Sequence, residues 1–235
     1  MQGTVADFNF PQQTVYRCTF AGKKSMELFI YVFAALFSVI NPLGTVPIFV
    51  GLTKEDTKSE RSRTSLLTAI NIFVILLISF FTGRYILNFF GISLDSLRIA
   101  GGLIITTSGF ALLTGSFAKH KGMDKPKVQE DAFQRDGVSL TPLAIPMLAG
   151  PGSISFLIGL YEEYATWNEK LIAVGAIFSV CLATLLVLRS SYYIVSMLGA
   201  SGINAISRII GFIVIAIGIE YISSSVINIF RTISL

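Results

Sequence analysis

Two short stretches carry the residue types from which a binding site is built inside an apolar protein. Asn41-Pro42-Leu43-Gly44-Thr45-Val46-Pro47 lies near the middle of an apolar run from Leu28 to Leu52. Gly150-Pro151-Gly152-Ser153-Ile154-Ser155 lies near the middle of a second run, Val138 to Tyr161, about 109 positions later. Proline removes a backbone donor and clashes with the preceding turn, so a helix through either run is interrupted. Backbone opened in this way is tolerated at membrane depth only where it packs in protein or lines a polar cavity. Thr45 and Ser153 are residue types that cap helix starts. A helix start offers unpaired N–H groups and a partial positive charge. If the halves after Thr45 and after Ser153 run in from opposite faces, their N-termini meet near the midplane and hold a carboxylate without a buried arginine. The Asn41 amide, with donors and an acceptor, suits the carboxylate or the ammonium of a zwitterion. Gly44, Gly150 and Gly152 leave room for a compact ligand. A plainer reading stands beside this one: prolines and glycines are common in membrane helices, and either break alone serves as a packing kink. Two breaks at matching places in two halves favour the site.

A third candidate is Glu220, flanked by Ile219 and Tyr221 in the last apolar run. An ionisable group within a membrane segment is a functional candidate by default, here for carrying a proton or helping to hold Na⁺. The alternative is a protonated or hydrogen-bonded carboxyl at a helix contact. His120, the sole histidine, sits in a charged stretch with no nucleophile placed to pair with it, and reads as a solvated residue. Cys18 and Cys181 lie in a polar arm and an apolar run, which predicts neither a disulfide nor a metal site. There is no clustered His, Asp and Glu set and no phosphate-cradling glycine loop of the G-x-x-x-x-G-K type. The reading is therefore a non-enzyme without cofactors or metal, and without ATP as a direct driver.

The elements that must position these residues are membrane helices. The chain of 235 residues is 53% hydrophobic and 14% charged, against about 25% charged in a typical soluble domain. Its mean hydropathy is +0.71. The net charge of +4 falls in loops, which fits basic cytoplasmic connections and not a nucleic-acid surface. Apolar runs at about 28–52, 66–90, 97–117, 138–161, 171–188 (extending toward Leu198 past Arg189) and 209–230 predict six crossings. Residues 1–25 form a polar arm without the apolar core of a signal peptide, and Met26 as the natural first residue is an open alternative. A first three-helix unit over 26–117, a hydrophilic connector over 118–137 and a second unit over 138–235 follow. Ala111 and Gly115 offer a small-residue packing face in the third segment. Gly91-Ile92-Ser93 and Arg98-Ile99-Ala100-Gly101 echo Gly202-Ile203-Asn204 and Arg208-Ile209-Ile210-Gly211. Three crossings per copy make the copies run oppositely, so the expected fold is an all-α 3+3 inverted repeat with the first and fourth helices interrupted. The side holding loops 53–63 and 118–137 carries eleven Lys and Arg against seven on the other, which predicts that these loops are cytoplasmic and both termini outside.

Taken together, the two interrupted motifs, Leu97-Arg98-Ile99-Ala100-Gly101-Gly102-Leu103, Pro142-Leu143-Ala144-Ile145-Pro146 and Ile206-Ser207-Arg208-Ile209-Ile210-Gly211 resemble the MarC family, also classed as neutral amino acid transporters. The resemblance covers about residues 26–232. It implies a six-helix inner-membrane protein related to LysE-type exporters, moving small neutral amino acids such as glycine and alanine in at least some members. It also implies an uncharged amide where this chain has Glu220. The expected function is an ion-coupled secondary transporter with a small zwitterion, Na⁺ or H⁺ and the bilayer as partners. An exporter of metabolites, or a structural or regulatory membrane protein without flux, are the alternatives.

Overall fold

The computed structural model describes residues 21–116 and 148–233, and all regular structure in them is helical. The elements are α1 (Ala21–Ile40), α2 (Pro42–Leu52), α3 (Lys58–Phe90), α4 (Leu94–Thr114), α5 (Pro151–Glu163), α6 (Trp167–Arg189) and α7 (Ser191–Ile233). Five stretches are long and apolar enough to cross a membrane: Ser25–Leu52, Lys58–Phe90, Leu94–Thr114, Trp167–Arg189 and Ser201–Thr232. The first is α1 and α2 together, joined across Asn41. The expected crossing at 138–161 is described only from Leu148, and its helix α5 has 13 residues, too few to span alone. Of the polar arm expected over 1–25, residues 21–25 are helical and begin α1, while the rest of it and the connector over 118–137 lie outside the described residues.

Local signals explain the boundaries. The charged stretch expected as a loop over 53–63 is helical from Lys58, because Thr57 and Glu60 form a capping box that starts α3 there. Thr166 and Glu169 start α6 in the same way. Gly91 and Gly115 end α3 and α4 in the left-handed conformation that glycine adopts without strain. Gly115 is therefore a helix terminator, and a methyl group built on it would meet no atom within 4 Å. The packing face expected there lies elsewhere. The fifth segment does not run on towards Leu198: α6 stops at Arg189, and α7 starts at Ser191 and bends at Gly199, where φ is 61°.

That packing face is the crossing of α4 and α7. A Cβ on Gly102 would sit 2.6 Å from the Gly218 carbonyl oxygen, and one on Gly218 would sit 2.7 Å from that of Gly102. Gly109 and Gly211 face each other in the same reciprocal way, at 2.8 and 2.9 Å. Asn228 Nδ2 donates to Asp95 Oδ2 at 2.8 Å further along. Residue numbers rise on α4 as they fall on α7, so the two helices are antiparallel. Backbones this close need glycine on both sides, the condition for tight helix association in lipid.

Elsewhere α5 packs on α3 and α4, while α2 packs on α6 and α7, and α1 lies against α6. One core cluster joins α1, α3, α5 and α6 through Leu36, Leu76, Phe80, Phe156 and Val180. A second joins α2, α4, α6 and α7 through Phe49, Ile105, Leu188 and Val214. Large apolar side chains also point outward along the spans, among them Ile78, Phe178, Leu186 and Phe212. An apolar exterior over an apolar core is what a bilayer-embedded bundle requires.

Candidate functional site

The break between α1 and α2 is a single residue. Asn41 has φ 48° and ψ 66°, the only non-glycine residue with positive φ among those described. Asparagine is one of the few side-chain-bearing residues that enter this region at modest cost. Its N–H still donates to the Phe37 carbonyl, at 2.9 Å, so α1 closes normally. Its Oδ1 accepts from the Gly44 N–H at 3.2 Å and caps α2. Pro42 follows at the first helical position, where a missing N–H is harmless. Gly44 is needed because a Cβ there would collide with the Asn41 amide nitrogen.

The start of α5 repeats this plan with different chemistry. Gly150 is the N-cap, Pro151 follows at once, and no side chain caps the helix. Ser153 and Thr45 are thus not the caps that their residue types promise. Each lies in the first turn and bonds back to the cap carbonyl: Thr45 Oγ1 to Asn41 at 3.3 Å, and Ser153 Oγ to Gly150 at 2.9 Å. The prolines explain the shift. A helix that begins with proline places its cap one residue before it, upstream of the hydroxyls.

The two starts lie close together. A Cβ on Gly152 would come within 3.7 Å of Val39, two residues before the first break, and 3.0 Å of Ile105 on α4. Ile40 and Ala149, which directly precede the two caps, belong to the same core cluster. Asn41 and Thr45 are fully buried, Ser153 nearly so, and Gly150 and Gly152 are buried too. The two caps therefore approach one another through Val39 and Gly152 in one interior neighbourhood, in which Asn41, Thr45, Gly150, Gly152 and Ser153 are buried and Gly44 is half-buried. Within it the Asn41 Nδ2 is buried without a hydrogen-bond partner, and α5 presents an uncapped N-terminus. Both features are donors. A buried donor left unpaired costs about 1–3 kcal/mol, and an anionic group seated there would recover it. Asn41 Oδ1 is already engaged by Gly44, so the asparagine faces a ligand as a donor to a carboxylate more than as an acceptor from an ammonium.

Glu220 is not part of this neighbourhood. It lies on the exposed side of α7, flanked by the exposed Ile219. The inward face of that turn is taken by Tyr221, which donates to the Phe156 carbonyl at 3.3 Å and stacks on the Phe156 ring. Apolar neighbours in sequence say that Glu220 is on a membrane helix, but not which face it occupies. Two polar features were not singled out from the sequence. Thr68 on α3 is fully buried with its hydroxyl unpartnered. Arg98 on α4 reaches α5, donating to Glu163 at 2.9 Å and to the Gly159 carbonyl at 3.3 Å; from sequence it reads as an arginine near a segment end that reaches headgroups or pairs locally. Among the described residues no group of three or more His, Cys, Asp or Glu could hold a metal ion.

Residues 26–230 match the family model described as MarC family integral membrane protein. The chain is 40% identical over 204 residues to a UPF0056 membrane protein of Buchnera aphidicola subsp. Schizaphis graminum, covering 87% of this chain and 94% of that one. It is 36% identical over 200 residues to the UPF0056 membrane protein YhcE of Escherichia coli K12, covering 84% and 91%. It is 32% identical over 208 residues to the UPF0056 inner membrane protein MarC of Escherichia coli O1:K1, covering 84% and 93%. No solved structure matches at a significant level. With a family model spanning most of its length, relatives matched nearly end to end and five helices fit to cross a bilayer, this chain belongs to the MarC family of multi-pass integral membrane proteins.

Proposed function

We propose that the protein is a secondary transporter for small zwitterionic solutes, with neutral amino acids of the glycine and alanine size as the substrate class, driven by a Na⁺ or H⁺ gradient. One observation carries the reading: the fully buried Asn41 holds an unpartnered amide donor in a left-handed cap, beside the uncapped start of α5. In this reading a substrate carboxylate accepts from both. The glycines at 44, 150 and 152 keep the space small, which selects against long side chains.

The frame around the site supports alternating access. The caps of α2 and α5 are 109 positions apart, as are the Thr57 and Thr166 caps of α3 and α6. The same offset carries Gly102 and Gly218 onto Gly211 and Gly109, the two reciprocal contacts of the α4–α7 crossing. Packing exchanges in step: α2 on α7 answers α5 on α4, and α2 on α6 answers α5 on α3. With α4 and α7 antiparallel, these features support a 3+3 inverted repeat, in which one half rocks against the other around a fixed central site. In this arrangement both termini lie outside.

The test is flux of labelled glycine and alanine in proteoliposomes, with Na⁺ and pH gradients imposed separately and in both directions. Gradient-driven flux that is lost in Gly152→Leu at equal protein level supports the reading. Flux only outward from the cytoplasmic face makes the protein an exporter. No flux of any small amino acid in either direction rejects transport of this class.

A further inference from the structure

A cavity of about 410 Å³ opens at the other end of the bundle from the Arg98–Glu163 pair, between the first turns of α3, the end of α6 and the first turn of α7. Three of its lining residues are cations, Lys58, Arg61 and Arg189, and none is acidic. The two ion pairs among the described residues, Arg84–Glu162 and Arg98–Glu163, involve none of them. Concentrating three like charges around one cavity is unfavourable unless an anion balances them.

The two arginines are held by hydrogen bonds and still have donors to give, and Lys58 is exposed beside them. Arg61 lies flat over the Tyr192 ring, 3.8 Å from its centroid. Its Nε donates to the Thr53 carbonyl at 3.1 Å and one terminal nitrogen to that of Lys54 at 3.3 Å. The Tyr192 hydroxyl donates to the same Thr53 carbonyl at 2.8 Å, which fixes the ring beneath the guanidinium. Arg189 reaches across to α3, with Nε 3.0 Å from Ser62 Oγ and Nη2 on the same oxygen. A guanidinium has five N–H donors, so both arginines keep free ones. Ser191, also lining the cavity, is fully buried and its hydroxyl has no partner. A preset donor of this kind, beside rigid arginines, suits a tetrahedral oxyanion better than water.

Depth indicates where such an anion comes from. Leu66 and Leu67, five and six residues after Arg61 on α3, are exposed apolar side chains, as is Leu186 three residues before Arg189. At 1.5 Å per residue the hydrocarbon boundary falls about 5–9 Å from the cations, which puts the cavity at headgroup level. Basic pockets between membrane helices at this depth bind anionic headgroups.

We propose that this cavity is a phosphate-binding site, occupied by the phosphate of an anionic phospholipid or by free phosphate from the aqueous side. The test uses the full-length protein in neutral detergent and in phosphatidylcholine nanodiscs. Native mass spectrometry and thermal shift would be recorded against phosphatidic acid, phosphatidylglycerol, phosphatidylcholine and inorganic phosphate. Retention of the acidic lipids over phosphatidylcholine assigns the lipid source, and saturable stabilisation by inorganic phosphate assigns the free one. In either case the Lys58→Gln/Arg189→Gln double variant weakens binding at least tenfold, while Ser191→Ala weakens it by a smaller factor. Arg61 is left intact because it also ties down the α2–α3 connection. Lys170→Gln, which removes a cation over Tyr161 at the opposite end of the bundle, leaves binding unchanged. Equal affinity for acidic lipid and phosphatidylcholine with no response to phosphate, or unchanged binding in the double variant, overturns the proposal.

Discussion

Replacing Gly218 with alanine tests the α4–α7 crossing most directly. The added methyl would lie 2.7 Å from the Gly102 carbonyl oxygen and 2.8 Å from the Thr106 backbone nitrogen, and would collide with Thr106 Oγ1. A hydroxyl can rotate away, but the two backbone atoms move only if the helices part. Reaching ordinary contact at 3.4 Å needs a separation of about 0.7 Å along this line. Forcing a methyl group into a filled interior costs about 1–3 kcal/mol. Alanine returns about 0.8–1.0 kcal/mol through its better helix propensity. The net is a loss of up to about 2 kcal/mol, about 1 kcal/mol at mid-range, and a chain of this size shifts by about 2–4 °C per kcal/mol. A fall of about 3 °C is therefore expected in detergent, read by the shift of an intrinsic fluorescence melt. Gly175→Ala in α6 is the control. Nothing lies within 4 Å of its new methyl, so propensity alone acts and stability rises by about 0.8 kcal/mol. If Gly218→Ala melts at or above the unsubstituted protein while Gly175→Ala behaves as expected, the crossing is not as close as described, and the reciprocal glycine contacts that support the repeat fall with it.

Asn41 separates backbone from amide. Asn41→Gly keeps the left-handed turn and costs only a few tenths of a kcal/mol as a cap, so its melt should stay within about 2 °C while glycine flux is lost. Asn41→Ala adds the left-handed penalty of roughly 1–2 kcal/mol to the lost cap, and should lower the melt as well. Flux retained in Asn41→Gly would remove the amide from the site. Glu220→Gln should leave both stability and the Na⁺ or pH dependence of flux unchanged, since the carboxyl faces away from the breaks; a lost ion dependence in that variant would reverse this conclusion. Arg98→Ala should cost about 1 kcal/mol by denaturant melt, having lost a half-buried pair and a carbonyl bond, whereas Arg84→Ala, an exposed arginine 3.6 Å from a half-buried Glu162 with no hydrogen bond between them, should cost less.

Much of the frame was readable because it rests on local chemistry. A proline at a helix start is a local signal, and α2 and α5 begin at Pro42 and Pro151, whereas Pro47 lies inside α2 without interrupting it. What the hydroxyls at Thr45 and Ser153 do was misread, because a proline at the first helical position moves the cap one residue upstream, onto Asn41 and Gly150. The loop over 53–63 was drawn too long for a similar reason: charge was weighed ahead of the Thr57–Glu60 capping box. The face occupied by Glu220 and the partners of Arg98 depend on which helices meet, and no local pattern encodes that.

The glycines show where the boundary falls. Gly102 and Gly109 are seven apart, and so are Gly211 and Gly218. On one helix, seven residues are two turns, so each pair marks a single stripe. The sequence thus contains two smooth stripes but not their pairing. Ala111 and Gly115 form an equally plausible stripe, yet Gly115 ends its helix. Pairing becomes determined only when the 109-residue offset is imposed on both stripes at once. That offset maps the contact of Gly102 with Gly218 onto the contact of Gly211 with Gly109, so a single crossing satisfies both copies. If the chain duplicates a three-helix unit, as proposed, its third helices must meet one condition: each stripe must be complementary to an antiparallel copy of itself. Glycine meets that condition at any rotation, since a backbone without side chains fits against its like. The same condition excludes bulk at all four positions together.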